Sequence, residues 1–273
     1  MAKRELVDGD LWKAIVLWLP PERKDVRGGP LRVSNRAAVA GSIFVLRHGL
    51  RWRDLPPELG YGSGVTCWRR LRQWQALGVW AGVHRTLVNW PGERGAVDWT
   101  RASVDSTSVR AKRGGEATGP NPTDRGKAGS KYHLLVDRHG VPLAVALSAA
   151  NTNDCKLLEP LLDAVPPIRR PIGQPGRPRC RPSKLHADKA YDFAFCRRAL
   201  RRRGITPRIA RRGIDSSERL GRYRWVVERT NSWLLAYRPL ALRFDRHAAS
   251  VLAFLHLACA LICVRFLQQV EQD

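Results

Sequence analysis

Ala102-Ser-Val-Asp-Ser-Thr-Ser108 reads as a short strand carrying one acid, Asp105, among apolar and hydroxyl side chains. Val104 and the small residues beside it suit a buried strand. A carboxylate at the centre of such a strand is costly to bury unless it is paired or bound to metal. Two other stretches place an acid in an otherwise apolar or basic run. They are Lys184-Leu-His-Ala-Asp-Lys-Ala-Tyr-Asp192 and Tyr223-Arg-Trp-Val-Val-Glu-Arg-Thr-Asn231. The reading that joins them has Asp105, Asp188 and Glu228 converging on divalent metal. Arg224, Glu228 and Asn231 recur at i, i+4 and i+7 and so share one helix face.

The rest of the chain says what such a site would act on. Its 273 residues include 48 Lys and Arg against 24 Asp and Glu, a formal charge of +24. That excess calls for a polyanionic partner, and nucleic acid is the first candidate. Phosphodiester cleavage or transfer needs two divalent ions about 3.5–4 Å apart, held by carboxylates. Hard oxygen donors suit Mg²⁺ or Mn²⁺. Two acids on adjacent strand ends and one on a facing helix can supply that cage. An Arg one turn before the acid, Arg224, can orient it or touch a DNA backbone.

The six cysteines form no CxxC pair and no zinc spacing, which points to reduced thiols in the cytoplasm. The start of the chain has no signal-peptide pattern. Leu252–Leu267 is the one membrane candidate, but His256 and Arg265 interrupt it, and a buried C-terminal helix is expected instead.

Residues 1–90 read as helical. Ser34 caps a helix that Gly49 stops, and a helix over about 65–77 carries Trp68, Leu71 and Trp74 on one side. Arg69, Arg70 and Arg72 make its remaining face basic. Helix, turn and basic helix is the pattern of a helix-turn-helix-like DNA reader. Residues 91–100, with Pro91-Gly-Glu-Arg-Gly95, read as a linker to a domain over 101–273. There Lys131–Val136 and Val141–Leu147 form a hairpin around Asp137-Arg-His-Gly140. Pro166–Ser183 lacks a core pattern and is expected to be exposed. Strands follow at 184–187 and 207–210, with a basic helix between them and two helices at the end. The fold class is therefore α/β, a mixed sheet flanked by helices with an all-helical N-terminal domain. Lys127 and Lys131 are placed in a loop before the hairpin as phosphate contacts. The Arg197–Arg203 helix is read as a non-specific backbone binder.

These segments together resemble the transposases of IS5-type bacterial insertion sequences, in the wider group with a DDE site on an RNase H-like fold. The matching motifs are Ser103-Val-Asp-Ser-Thr107, Thr118-Gly-Pro-Asn-Pro-Thr-Asp-Arg-Gly-Lys127, Gly129-Ser-Lys-Tyr-His-Leu-Leu-Val-Asp137, Asn153-Asp-Cys-Lys-Leu-Leu-Glu-Pro160, Ala187-Asp-Lys-Ala-Tyr-Asp192 and Arg224-Trp-Val-Val-Glu-Arg-Thr230. Leu46-Arg-His-Gly-Leu-Arg-Trp-Arg-Asp-Leu-Pro56 resembles the family's helical DNA-binding segment. The resemblance implies Asp105, Asp188 and Glu228 as catalytic and metal-binding triad, with two Mg²⁺ or Mn²⁺ ions. It implies binding to terminal inverted repeats and target DNA; Arg224 and Asn231, on the helix face of Glu228, are expected to face that DNA, and pairing two DNA ends calls for a homodimer on it. By the same resemblance, metal-activated water would nick the element end, and the freed 3′-hydroxyl would attack target DNA in line. Related elements carry Tyr, Arg, Glu and Lys around the third acid. Arg224 and Glu228 keep that spacing, while Gly221 stands at the Tyr position and Leu235 at the Lys position. Tyr223, Arg229 and Arg238 are the nearby residues that could stand in. The competing readings are a catalytically idle DNA-binding protein and an RNase H-like nuclease acting on RNA–DNA hybrids.

Overall fold

The computed structural model describes residues 6–22, 32–214 and 217–270, with only the backbone given for 217–222 and 270. A seven-stranded mixed sheet forms from Ala102 onward. Its pivot is β1 (Ala102–Ala111), three residues longer than the stretch that announces it. β2 (Gly119–Pro120) is a short rung at the start of β3 (Ala128–Asp137), and β3 runs antiparallel to β1 with Leu134 opposite Asp105. β4 (Pro142–Ala149) completes the antiparallel meander. On the other side of β1 the pairing turns parallel, first to β5 (Lys184–Ala187) and then to β6 (Thr206–Ile209) at the edge. β7 (Leu242–Arg243) runs beside the far end of β1. An antiparallel three-strand meander continued by parallel strands is the RNase H-like order.

The β3–β4 hairpin closes where the sequence places it. The buried Asp137 carboxylate accepts backbone N–H bonds from Asp98, His139 and Val141 at 2.8–2.9 Å, and Gly140 takes a φ of 93° that an L side chain resists. Side chains alternate across a strand, so odd positions of β1 share one face. Ser103 Oγ donates to the Tyr223 carbonyl on that face, and Tyr132 Oη to the Leu240 carbonyl. It is covered by α7 (Ser217–Leu235) and α8 (Arg238–Ala241). Lys131 faces the other way, toward the Asn153-capped turn that leads into α5 (Leu158–Ala164). α6 (Ala194–Arg202) lies against β6.

The N-terminal helices are α1 (Gly9–Val16), α2 (Asn35–His48), α3 (Gly64–Ala76) and α4 (Val79–Glu93). Ser34 Oγ accepts the Ala37 N–H and Gly49 ends α2 in the left-handed region. α3 and α4 pack on the last helix, α9 (Ala248–Val270), so helices and sheet share one buried core. α9 is long and apolar enough to cross a membrane, yet 72% of its most apolar window is buried inside the fold, Cys259 and Cys263 included.

Two expectations are corrected here, and a third is refined. Residues 91–100 are built into the core: α4 runs through the buried Pro91 and Gly92, and Val97 and Trp99 are buried. The 166–183 stretch is exposed over most of its length, as expected, but Ile168 anchors it: that side chain is fully buried and its backbone exchanges two bonds of 2.8 Å with Arg179. A side chain at Gly92 would collide with it. Finally, α2 and α3 are joined by residues 49–63, too long for the three- or four-residue turn of a helix-turn-helix. The tight turn is Leu77-Gly78, and the helix after it, α4, is buried.

Gly64 opens α3 directly against the Trp52 carbonyl, and a Cβ there would overlap backbone. Gly64→Ala is expected to cost about 1–3 kcal/mol, the usual range for overpacking, read as a lower urea midpoint. An unchanged midpoint would mean that the Trp52 turn yields freely.

Candidate active site

Asp105 sits mid-strand on the face that α7 covers. Its Oδ1 meets Arg224 Nη2 at 3.2 Å, with only 18% and 12% of the two side chains exposed. Burial pushes the Asp105 carboxyl up to about 6, and Asp188 and Glu228 add to that push while Arg224 opposes it. The three acids therefore share one electrostatic locus. The sheet explains Asp188: Ala102 pairs with Leu185 and Ser103 with His186, and extending that register brings Asp105 level with Asp188. Asp188 lies one residue beyond β5, where its Oδ1 accepts the Ala190 N–H at 2.9 Å and caps a 3₁₀ turn. Carboxyl ends of parallel strands are the usual place for a site in open sheets. Glu228 follows Arg224 by one helical turn and is exposed.

Among the described residues, no three acid, histidine or cysteine side chains stand close enough to enclose an ion as they are. The residues present still fit one. They are hard oxygen donors, one of them buried at a net electrostatic cost, repelling each other with a single guanidinium in partial compensation.

The family model described as "Transposase DDE domain" matches residues 93–263, more than half of the chain. The chain belongs to the DDE transposases. Residues 7–84 match a second model, for transposases of the IS4/5 family. The chain is 51% identical over 156 residues to a candidate transposase for insertion sequence element IS402 of Burkholderia cepacia, covering 57% of this chain and 72% of that one. A 16.2 kDa uncharacterized protein of the same element is 52% identical over 124 residues, 45% of this chain and 84% of that one. A candidate transposase for element IS6501 of Brucella ovis is 27% identical over 144 residues, half of this chain and 98% of that one. Transposase function for an insertion sequence follows from this membership, with DNA as partner. DDE domains work with divalent metal ions.

The transposase uses the remaining candidate residues unevenly. Arg69 is exposed on α3, but Arg70 donates to Asn35 Oδ1 at 3.2 Å and Arg72 stacks on Trp68 at 4.8 Å. Lys127 is exposed near Asp124. Lys131 is not in a loop; it lies in β3, and its ammonium is held by Asp154 at 2.7 Å and the Thr152 carbonyl at 2.9 Å. Asn231 is buried, which takes it off the DNA-facing surface. In α6 Arg197 pairs with Asp192, and Arg203, which caps its C-terminus, with Glu159 and Asp163, while Arg198 and Arg201 are exposed. Arg229 lies between Trp225 and Trp233 at 4.7 and 4.6 Å and donates to the His139 carbonyl, so it docks α7 on the hairpin turn. Tyr223 meets the His186 ring at 4.9 Å with the two planes tilted by 42°, beneath the Arg101 guanidinium. Tyr191, which sequence reasoning passed over, is fully buried beside the acids. Its position three residues after Asp188 was the available signal.

Proposed function

We propose that this transposase binds the terminal inverted repeats of its own element and performs strand cleavage and strand transfer through Asp105, Asp188 and Glu228. The observation that carries the reading is the shared field of the three acids: Asp105 is pushed toward protonation by burial and by the other two. The triad would hold Mg²⁺ or Mn²⁺, in a pair of ions if both flanks of the phosphate are served. Bound there, divalent ions stabilise charge on the attacking and leaving oxygens of an in-line displacement.

The chain's own residues supply the rest. Asp105 lies in β1 and Asp188 directly after the parallel β5, so the sheet fixes one side of the site. Glu228 comes from a helix docked by Thr230, whose hydroxyl bonds the Gly140 carbonyl at 2.8 Å. Arg224 holds Asp105 in the free protein and would be free to meet an entering phosphate once metal takes that acid. Residues 1–90 would read the repeat, with 101–273 catalytic, although both regions share one core. Arg69 and Lys127, with Arg198 and Arg201, are the exposed cations assigned to backbone binding, which makes affinity salt-dependent. Pairing two element ends calls for a homodimer on DNA. The cytoplasm, where the element's DNA lies, is the expected compartment.

The test is strand transfer with Mg²⁺ or Mn²⁺ on DNA carrying the element's ends. Wild type is expected to cut and join. Asp105→Asn, Asp188→Asn and Glu228→Gln should bind the ends yet lose at least 10³-fold in rate, about 4 kcal/mol of transition-state stabilisation. Binding without cutting by wild type under either metal would instead establish an idle DNA-binding protein. Cleavage retained by one variant would remove that acid from the triad.

A further inference from the structure

Tyr191 ends the turn that Asp188 caps, and its side chain is fully buried. Its hydroxyl has no hydrogen-bond partner among the described residues. That is unusual, because buried tyrosine hydroxyls nearly always find one. The other fully buried tyrosine, Tyr132, donates to the Leu240 carbonyl at 3.0 Å. The surroundings make the orphan more informative. Burial disfavours the phenolate most, Asp154, Asp105 and Asp188 add to that in turn, and Arg224 opposes them. Each acid is engaged elsewhere: Asp105 by Arg224, Asp188 by the Ala190 N–H and Asp154 by Lys131. A donor is thus stored among acceptors that are turned to other partners.

We propose that Tyr191 is a positioning residue of the acidic site, its hydroxyl donating to the Asp105–Asp188 carboxylate pair once these acids turn to ligate divalent metal. The proposal rests on the triad reading above. Carboxylates that ligate metal are normally held by such outer hydrogen bonds, and losing one costs about 10–100-fold in metal affinity or activity. Because the bond is not made in the resting protein, the hydroxyl contributes nothing to resting stability. Removing an unsatisfied buried polar atom is neutral or stabilising. Function and stability therefore separate in one substitution.

The experiment compares Mn²⁺ binding to the full chain, followed by the electron paramagnetic resonance of free Mn²⁺, in wild type, Tyr191→Phe, Asp105→Asn and Asp188→Asn. Each melting temperature is recorded in metal-free buffer. Tyr191→Phe is expected to bind Mn²⁺ at least tenfold more weakly while melting at or above the wild-type temperature. The two Asn variants should lose the site. If they lose it and Tyr191→Phe binds as wild type does, the role of Tyr191 is overturned and the triad stands. If Asp105→Asn and Asp188→Asn bind as well as wild type, the triad reading falls and Tyr191 falls with it. Weaker binding with a lowered melting temperature would make Tyr191 a packing residue and also overturn the proposal.

Discussion

Asp105→Asn is expected to raise the melting temperature of the metal-free protein at pH 7.5 by several degrees, even as it abolishes strand cleavage. The Asp105 carboxyl stands at about 6 against an ordinary 3.8. That difference is on the order of 3 kcal/mol against the charged form, at about 1.36 kcal/mol per pH unit. The attraction of Arg224 is already inside that balance. A folded-state value above the unfolded one means that the native state holds the proton more tightly. The stabilisation from this group is fully present below the unfolded value and is lost as pH rises through about 6. Wild type should therefore gain on the variant as pH falls from 7.5 to 5, and the gap between their melting curves should narrow by about half. Scanning calorimetry with chelator at the two pH values decides it. A variant that melts below wild type at pH 7.5 would show that the Arg224 pair stabilises more than burial costs. The physical content is that the acid sits where it weakens the fold, a cost tolerated when the site has work to do.

Much of the catalytic half was legible because its signals are local. Apolar runs bounded by Asp137-Arg-His-Gly140 fix the hairpin, and Asn153 caps the turn before α5 as its residue type suggests. The acids of β1, of the turn after β5 and of α7 stand out because each interrupts a run that would otherwise be apolar or basic. What escaped depends on distant partners. Pro91-Gly92 looks like a break, since proline removes a helix N–H and crowds the preceding turn. The helix continues through it because that turn packs against Ile168 from a stretch that itself looked featureless. The basic face of α3 is another such case. Spacing places Arg69, Arg70 and Arg72 outside the core, but not that Asn35 and Trp68 occupy two of them. Lys131 and Asn231 went the same way, the first to Asp154 and the second into the interior. A period assigns a face; only tertiary partners say whether a charge on it faces solvent.

Arg243→Met is expected to destabilise the fold by about 3 kcal/mol, through loss of charge-assisted hydrogen bonds that contribute roughly 1.5–3 kcal/mol each against the desolvation that methionine recovers. Arg243 is 1% exposed, and among the described residues none of its hydrogen bonds goes to a carboxylate. Its guanidinium donates to Ser130 Oγ at 2.5 Å, to the Asp245 carbonyl at 2.8 Å, to the Arg246 carbonyl at 3.1 Å and to the Ala117 carbonyl at 3.3 Å. One side chain thereby joins β3, the 111–117 turn and the segment leading into α9. That segment also carries Asp245, whose carboxylate accepts the Trp68 indole N–H of α3 at 3.0 Å. Loosening it should free α3, the helix that presents Arg69, from the catalytic sheet. Arg243→Lys keeps the charge but offers a compact point donor that cannot span the same four acceptors, so it is expected to lose nearly as much. Urea melts measure the loss, and hydrogen exchange at Thr66–Trp74 measures the detachment of α3. A methionine variant as stable as wild type would show that the carbonyls repack unaided. Rescue by lysine would show that charge alone, without the fork, holds the corner between the helices and the sheet.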